Sequence, residues 1–192
     1  LKLTVALSNL YRHPMTQISD PNTADHSDMY VGCFTGYDWD QIKFIVNSLD
    51  RTGFAGRKVM LVMGTKRATV QKLMERGWRV VHFGTLDANG DLVAEPVKIP
   101  VHVLRFFYLF MLLEGLPENQ KPEYVITTDV RDVVFQKDPF VALRAHAATH
   151  PNFGFIASSE SMRYRDEPWG NKNLLETFPP PVYEKYKDRE MY

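Results

Sequence analysis

Compact apolar runs alternate with helical segments in the first half of the chain, and a glycine follows each run. The runs have the content of buried strands and occupy residues 29–35 (MYVGCFT), 58–63 (KVMLVM) and 78–83 (WRVVHF). Between them, apolar positions recur at helical spacing over residues 39–49 and 68–76, and Asp38 stands at an N-cap position. This alternation predicts an α/β fold with a Rossmann-like, mostly parallel sheet sandwiched by helices.

The second half continues the alternation after a polar loop at residues 86–100. We predict a fourth strand over residues 124–128 (YVITT) and a fifth over 153–157, with helices over 101–113, 139–150, 171–178 and 182–187. Residues 1–28 are mixed, with a possible strand at 3–7 and a loop at 9–27. The sequence therefore predicts an N-terminal arm, residues 1–28, and one domain, residues 29–192.

The composition argues against some classes of partner and some kinds of structure. Lys plus Arg and Asp plus Glu each number 23, so the formal net charge is zero and no broad basic face is expected for nucleic acid or an anionic membrane. The single cysteine, Cys33, cannot form an internal disulfide, and no Asn-x-Ser/Thr sequon occurs. No apolar run reaches a membrane-spanning length. We expect a cytoplasmic protein without a transmembrane segment, although Leu1 at the start leaves room for a removed signal or anchor.

Candidate chemistry concentrates in residues 124–140, YVITTDVRDVVFQKDPF, where a buried strand runs directly into Asp129 and then Asp132. Strand ends of open α/β sheets are where ligands bind, and paired carboxylates suit Mn²⁺ or Mg²⁺. Arg131 could neutralise one carboxylate or contact a phosphate. An aspartate-rich turn with an internal Arg–Asp pair explains the same residues equally well. Neither a G-x-G-x-x-G fingerprint nor a phosphate-binding P-loop is present.

This segment resembles the metal-binding segment of GT-A-fold glycosyltransferases, enzymes that use nucleotide sugars. The shared pattern is an apolar strand, a D-x-D-type turn, apolar residues and a downstream Asp-Pro, here Asp138-Pro139. The spacing in this chain is D-x-x-D, so either both aspartates act with a residue bulged between them or only one binds metal. The resemblance also implies that a C-terminal part of such a domain is missing from these 192 residues.

The resemblance assigns roles to residues outside the acidic turn. It implies that Thr35, Gly36 and Tyr37 lie near the nucleotide base, and that Arg105 and Arg131 contact the donor. Arg105 could instead form a structural pair with one of the aspartates, and both roles could hold together.

Three carboxylates downstream are candidates for the acceptor side. Glu160 follows the predicted fifth strand and is a candidate to bind sugar hydroxyls or the acceptor. Asp166 or Glu167 could deprotonate an acceptor hydroxyl if the reaction inverts. Trp169 could stack on a sugar ring or plug the core. Whether the reaction inverts or retains stays open at this stage.

The resemblance thus implies transfer of a hexose-type sugar from a nucleotide diphosphate donor, with a UDP-sugar as the expected donor, to a hydroxyl of a glycan or glycoconjugate. One alternative is a nucleotidyltransferase of related fold, although residues 32–37 lack the basic loop usual in those enzymes. Another is a non-catalytic domain that binds sugar nucleotides or acts as a scaffold.

Overall fold

The computed structural model describes residues 16–17, 28–94, 99–157 and 162–190. Contacts divide the chain into two compact units, residues 1–144 and 145–192. The possible strand at residues 3–7 lies outside the described residues, as does the predicted arm apart from Thr16, Gln17 and Asp28. None of the helices in the described ranges is long and apolar enough to cross a membrane.

The elements of the first unit follow the predicted alternation closely. Its strands are β1 (Thr16–Gln17), β2 (Asp28–Phe34), β3 (Arg57–Val62), β4 (Arg79–His82), β5 (Thr85–Leu86), β6 (Leu92–Val93) and β7 (Tyr124–Thr128). Its helices are α1 (Trp39–Arg51), α2 (Arg67–Glu75), α3 (Val101–Glu114) and the first part of α4 (Pro139–Thr149). Part of the expected loop at residues 86–100 instead belongs to the antiparallel β5–β6 hairpin.

Five strands form the main sheet in the order β1-β4-β3-β2-β7. Strands β4, β3, β2 and β7 are parallel, while β1 is antiparallel to β4. The register aligns Gly32 of β2 with Met60 of β3 and with Thr128 of β7. The prediction of a mostly parallel sheet flanked by helices is confirmed.

Apolar side chains pack on both faces of this sheet. On one face, α1 and α2 enclose a core with Trp78 and Tyr30 at its centre. On the other face, α3 is the only helix among the described residues, and it buries Leu104, Tyr108 and Leu112 at helical spacing. Asp38 caps α1 as the sequence predicts: its side chain accepts from the backbone of the first turn, and Gln41 reaches back to its N–H.

The second unit contains the end of α4, a 3₁₀ turn (Tyr164–Asp166), α5 (Pro168–Thr177) and α6 (Pro180–Tyr186). The predicted strand over residues 153–157 is wrong, because these residues have no regular secondary structure. Phe153 instead closes the end of α4: its N–H donates to His150 O at 3.1 Å and its ring packs edge-on against His146. Phe155 is 83% exposed, so the apolar run fills no core in this unit.

Candidate functional site

The strand order of the sheet reverses between β2 and β7, because β3 and β4 lie on one side of β2 while β7 lies on the other. In open parallel sheets, ligands bind in the crevice at the carboxyl ends of the strands at such a reversal. Thr35, Gly36 and Tyr37 follow β2 at this end, and Asp129 follows β7. The predicted base-binding loop and the predicted acidic turn therefore lie at the carboxyl ends of neighbouring strands.

The loop after β2 is held in place by backbone contacts. Gly36 has a positive φ of 70°, a conformation that favours glycine, and its N–H donates to Gly64 O at 2.7 Å. The buried hydroxyl of Thr65 donates to Tyr37 O at 2.6 Å. The Tyr37 ring is half-buried and stacks on Phe34, with 6.1 Å between ring centroids. The loop thus presents a fixed aromatic ring at the crevice.

The acidic turn after β7 is anchored by its one apolar residue. Val130 is buried, whereas Asp129, Arg131 and Asp132 are exposed. Val130 fits because β2 carries Gly32 opposite it: a Cβ at Gly32 would lie 2.8 Å from both Val130 Cγ1 and Met60 Sδ. Because Gly32 has no side chain, Val130 can pack against β2 and hold the turn in place.

A second anchor holds the residues that follow the turn. The Phe135 N–H donates to the hydroxyl of the buried Ser48 at 3.0 Å, and the Phe135 ring packs edge-on against Tyr30. Farther along, Asp138 accepts from the Phe140 N–H at 2.9 Å at the start of α4. Phe135 thus anchors the segment after the turn, and Asp138 supports the start of α4.

Each carboxylate of the turn is paired with one of the two predicted donor-binding arginines. Arg105 on α3 donates from Nη1 to Asp129 Oδ1. Arg131 donates to both oxygens of Asp132, with Nε–Oδ1 at 3.0 Å and Nη2–Oδ2 at 3.2 Å. This hydrogen-bonded fork raises the pKa of Arg131 and holds the pKa of Asp132 below its usual value. The structural Arg–Asp pairing anticipated from the sequence is therefore present.

Arg131 also connects the acidic turn to the loop after β2. Its guanidinium carbon lies 5.9 Å from the centroid of the Tyr37 ring, within the range of a cation–π contact. The structure thus brings Tyr37, Arg131 and Asp132 into one chain of contacts. Arg105 and Asp129 form the second pair at the same end of β7.

A buried polar contact beneath the turn was not predicted from the sequence. The Thr128 hydroxyl donates to Asp129 O at 2.8 Å, so Tyr30 is left to donate its own hydroxyl to Thr128 at 2.9 Å. Burial raises the pKa of Tyr30 well above its ordinary value, which keeps the phenol a donor. The only sequence signals were a polar threonine at the end of an apolar strand and a tyrosine within β2.

The donor set of the turn can be compared with the needs of a hard divalent cation. Within the described ranges, no group of three or more His, Cys, Asp and Glu side chains is arranged to hold a metal ion. Asp129 and Asp132 supply oxygen donors, and Mg²⁺ commonly binds through one or two carboxylates completed by water and substrate phosphates. The residues fit a cation that arrives with a phosphate ligand, and they do not form a closed protein cage.

The candidate acceptor-side carboxylates Asp166 and Glu167 belong to the second unit. Glu167 caps α5, with its two oxygens accepting from the Trp169 and Gly170 N–H groups. Asp166 is exposed, and its nearest cation is Arg165, at 3.7 Å. Glu160 lies outside the described residues. Trp169 is 67% exposed, so it does not plug the core of this unit.

Comparison of the chain with models of protein families, with curated proteins and with solved structures found no match. The resemblance to GT-A glycosyltransferases therefore rests on residues 124–140 and on the order of elements. At the carboxyl ends of β2 and β7, Tyr37, Arg131 and Asp132 are in contact.

Proposed function

We propose that the chain is a metal-dependent glycosyltransferase that moves a hexose-type sugar from a nucleotide diphosphate donor, a UDP-sugar, to a hydroxyl of a glycan or glycoconjugate. The observation that carries this proposal is the acidic turn at the reversal of strand order. Two carboxylates and two arginines meet there beside a fixed aromatic ring. This combination suits a ligand with a flat base and a diphosphate.

The loop after β2 suits the base of the donor. Tyr37 offers a partly exposed ring whose backbone is fixed by Thr65, so a base could stack on it without ordering the loop first. Gly36 adds no side chain at this point, and its backbone is accessible. We assign Thr35, Gly36 and Tyr37 to base recognition in this proposal.

The acidic turn and its arginines suit the diphosphate. Arginine offers a planar, always charged group whose N–H donors match the oxygens of phosphate. Arg105 and Arg131 would stabilise the negative charge that builds on the nucleotide diphosphate as the sugar departs. A Mn²⁺ or Mg²⁺ ion held by Asp129 and Asp132 would add Lewis-acid stabilisation of the same charge.

The structure separates the two candidate bases of the second unit. Both oxygens of Glu167 are occupied by backbone donors of α5, so this side chain has a structural role at the helix start. Asp166 is exposed, and among the described residues its carboxylate makes only a long contact with Arg165, which itself binds Asp188 at 2.6 Å. Of the two predicted bases for an inverting reaction, Asp166 is therefore the one whose oxygens are not engaged by a helix start.

A panel of nucleotide sugars tests the proposed activity. Release of UDP is measured with and without Mn²⁺ for the wild type, Asp132→Asn and the control Glu118→Gln. Glu118 is an exposed carboxylate paired with Lys121 at 2.9 Å, and it precedes β7 while Asp132 follows it. We expect turnover in the wild type and the control but a large loss in Asp132→Asn.

The same panel separates the alternatives. Release of pyrophosphate from a nucleoside triphosphate and a sugar phosphate would indicate nucleotidyl transfer. Binding of a nucleotide sugar without turnover would indicate a non-catalytic domain. Equal activity of the wild type and Asp132→Asn would overturn the role given to Asp132.

A further inference from the structure

The two carboxylates proposed to hold the metal are both occupied by the arginines proposed to hold the phosphates. Arg131 covers both oxygens of Asp132 in a two-pronged contact, and Arg105 binds one oxygen of Asp129. These four side chains sum to a formal charge of zero. A dication arriving alone therefore meets a neutralised site in which its ligands are already engaged.

A diphosphate changes this balance because it competes for the arginines. Its oxygens match the guanidinium fork at least as well as a carboxylate does, and it carries more negative charge. If the arginines turn towards the diphosphate, the oxygens of Asp129 and Asp132 become available to a cation. The cation and the diphosphate then neutralise each other within one site.

We propose that Arg105 and Arg131 exchange partners when the donor binds: they release Asp129 and Asp132 and bind the diphosphate of the donor. The two carboxylates then become available to the cation. This exchange makes the divalent cation and the nucleotide diphosphate bind cooperatively, each raising the affinity for the other. The inference rests on the proposed function, since it concerns the same site.

The surroundings of the two arginines suit such an exchange. The Arg131 side chain is 56% exposed, and its neighbour Tyr37 belongs to the loop proposed to bind the base. Arg105 is more enclosed, with its guanidinium carbon 4.9 Å from the centroid of the Phe106 ring. Its Nε is buried and donates to no acceptor among the described residues. Arg131 is thus the more exposed of the two arginines, with 56% of its side chain exposed against 23% for Arg105.

The size of the coupling follows from what each ion pair can contribute. Exposed pairs are weak, so release of one carboxylate should raise cation affinity by no more than about fivefold. Release of both should raise it by up to about 25-fold, which overlaps the usual range of coupling between two ligands. A single phosphate cannot satisfy both arginines as well as a diphosphate can. UMP should therefore couple more weakly than UDP.

Titration calorimetry with Mn²⁺ tests the exchange. Mn²⁺ is titrated into the chain alone, with saturating UDP and with saturating UMP, after subtraction of Mn²⁺–nucleotide binding measured without protein. The variants are Arg131→Gln, Arg131→Lys and the control Lys121→Gln, which breaks another exposed ion pair, with Glu118, before β7. Circular dichroism confirms that each variant is folded.

We expect UDP to tighten Mn²⁺ binding measurably, by up to about 25-fold, in the wild type and the control, and UMP to do so less. Arg131→Gln should bind Mn²⁺ alone up to about fivefold more tightly than the wild type and show weaker coupling to UDP. Arg131→Lys should fall between the two, because it keeps the charge but loses the fork.

Two results would overturn the inference in distinguishable ways. If UDP and Mn²⁺ both bind but their affinities are independent, the partner exchange is wrong while the donor site stands. Unchanged Mn²⁺ affinity in Arg131→Gln would also refute the exchange. If UDP does not bind under any condition, the proposed function itself fails and the inference fails with it.

Discussion

Replacement of Gly32 by alanine tests how the fold seats the acidic turn. The new Cβ would lie 2.8 Å from Val130 Cγ1 and 2.8 Å from Met60 Sδ, closer than real side chains approach. Overpacking of this kind costs about 1–3 kcal/mol, and the smaller entropy of the unfolded alanine chain offsets about 0.4–1 kcal/mol of it. We expect a net loss of about 1–2 kcal/mol, or a fall of about 2–8 °C in Tm for a chain of this size.

Gly154 provides a matched control for this substitution. A Cβ at Gly154 has nothing within 4 Å, so Gly154→Ala should not lower the Tm and should raise it by no more than about 1–4 °C. Urea unfolding followed by circular dichroism measures both variants. Val130→Ala should relieve part of the crowding, so the double variant with Gly32→Ala should be more stable than the two single losses predict. Additive losses, or a stable Gly32→Ala chain, would refute this account of the turn.

Three further predictions concern the core and the ion pairs. Burial raises the pKa of Cys33 from 9.0 to about 12, so a thiol reagent should label the native chain slowly and the urea-unfolded chain fast; equal labelling rates would contradict this. Because the thiol of the unfolded chain ionises at lower pH, the free energy of unfolding should fall as pH rises from 9 towards 12. Phe140 is fully buried and stacks on Phe54, so urea unfolding of Phe140→Ala should show a free energy of unfolding lower by about 3–5 kcal/mol. A loss below about 1 kcal/mol would contradict that packing. Arg131 lowers the pKa of Asp132, so NMR titration should find this carboxylate charged to lower pH than usual, and Arg131→Gln should raise that pKa. The stability from the pair should be lost as pH falls through the lowered pKa. An unchanged pKa of Asp132 in the variant would contradict the pairing.

The order of elements in the first unit could be predicted because each has a strong local signal. The strand over residues 124–128 and the helix from residue 101 match the predicted starts, and Asp38 caps α1 as expected. Apolar runs followed by glycine and helical spacing between them depend only on neighbouring residues. These signals sufficed for a parallel, helix-flanked sheet.

The strand predicted over residues 153–157, which the structure does not contain, shows what an apolar run alone does not determine. An apolar run has the same appearance whether it enters a sheet or remains exposed, and only a partner strand decides which occurs. Here Phe153 packs against His146 and Phe155 stays exposed. No short-range feature of the sequence distinguishes this outcome from a buried strand.

The residues of the candidate site and an Arg–Asp pairing could be predicted, but not which aspartate each arginine would bind. Asp129, Asp132 and Arg131 stand out in the printed sequence, whereas the choice of Asp129 by Arg105 depends on how α3 packs on the sheet. The space that Gly32 leaves for Val130 depends on the register of β2 and β7. Long-range register is the information that a single sequence lacks.

A crystal structure of the chain with UDP and Mn²⁺ tests the central claim most directly, because anomalous scattering locates the manganese. We predict a manganese peak bound by Asp129, Asp132 or both, a diphosphate in contact with Arg105 and Arg131, and a base beside Tyr37. A nucleotide bound away from the ends of β2 and β7, or manganese absent from the acidic turn while UDP is bound there, would contradict the account.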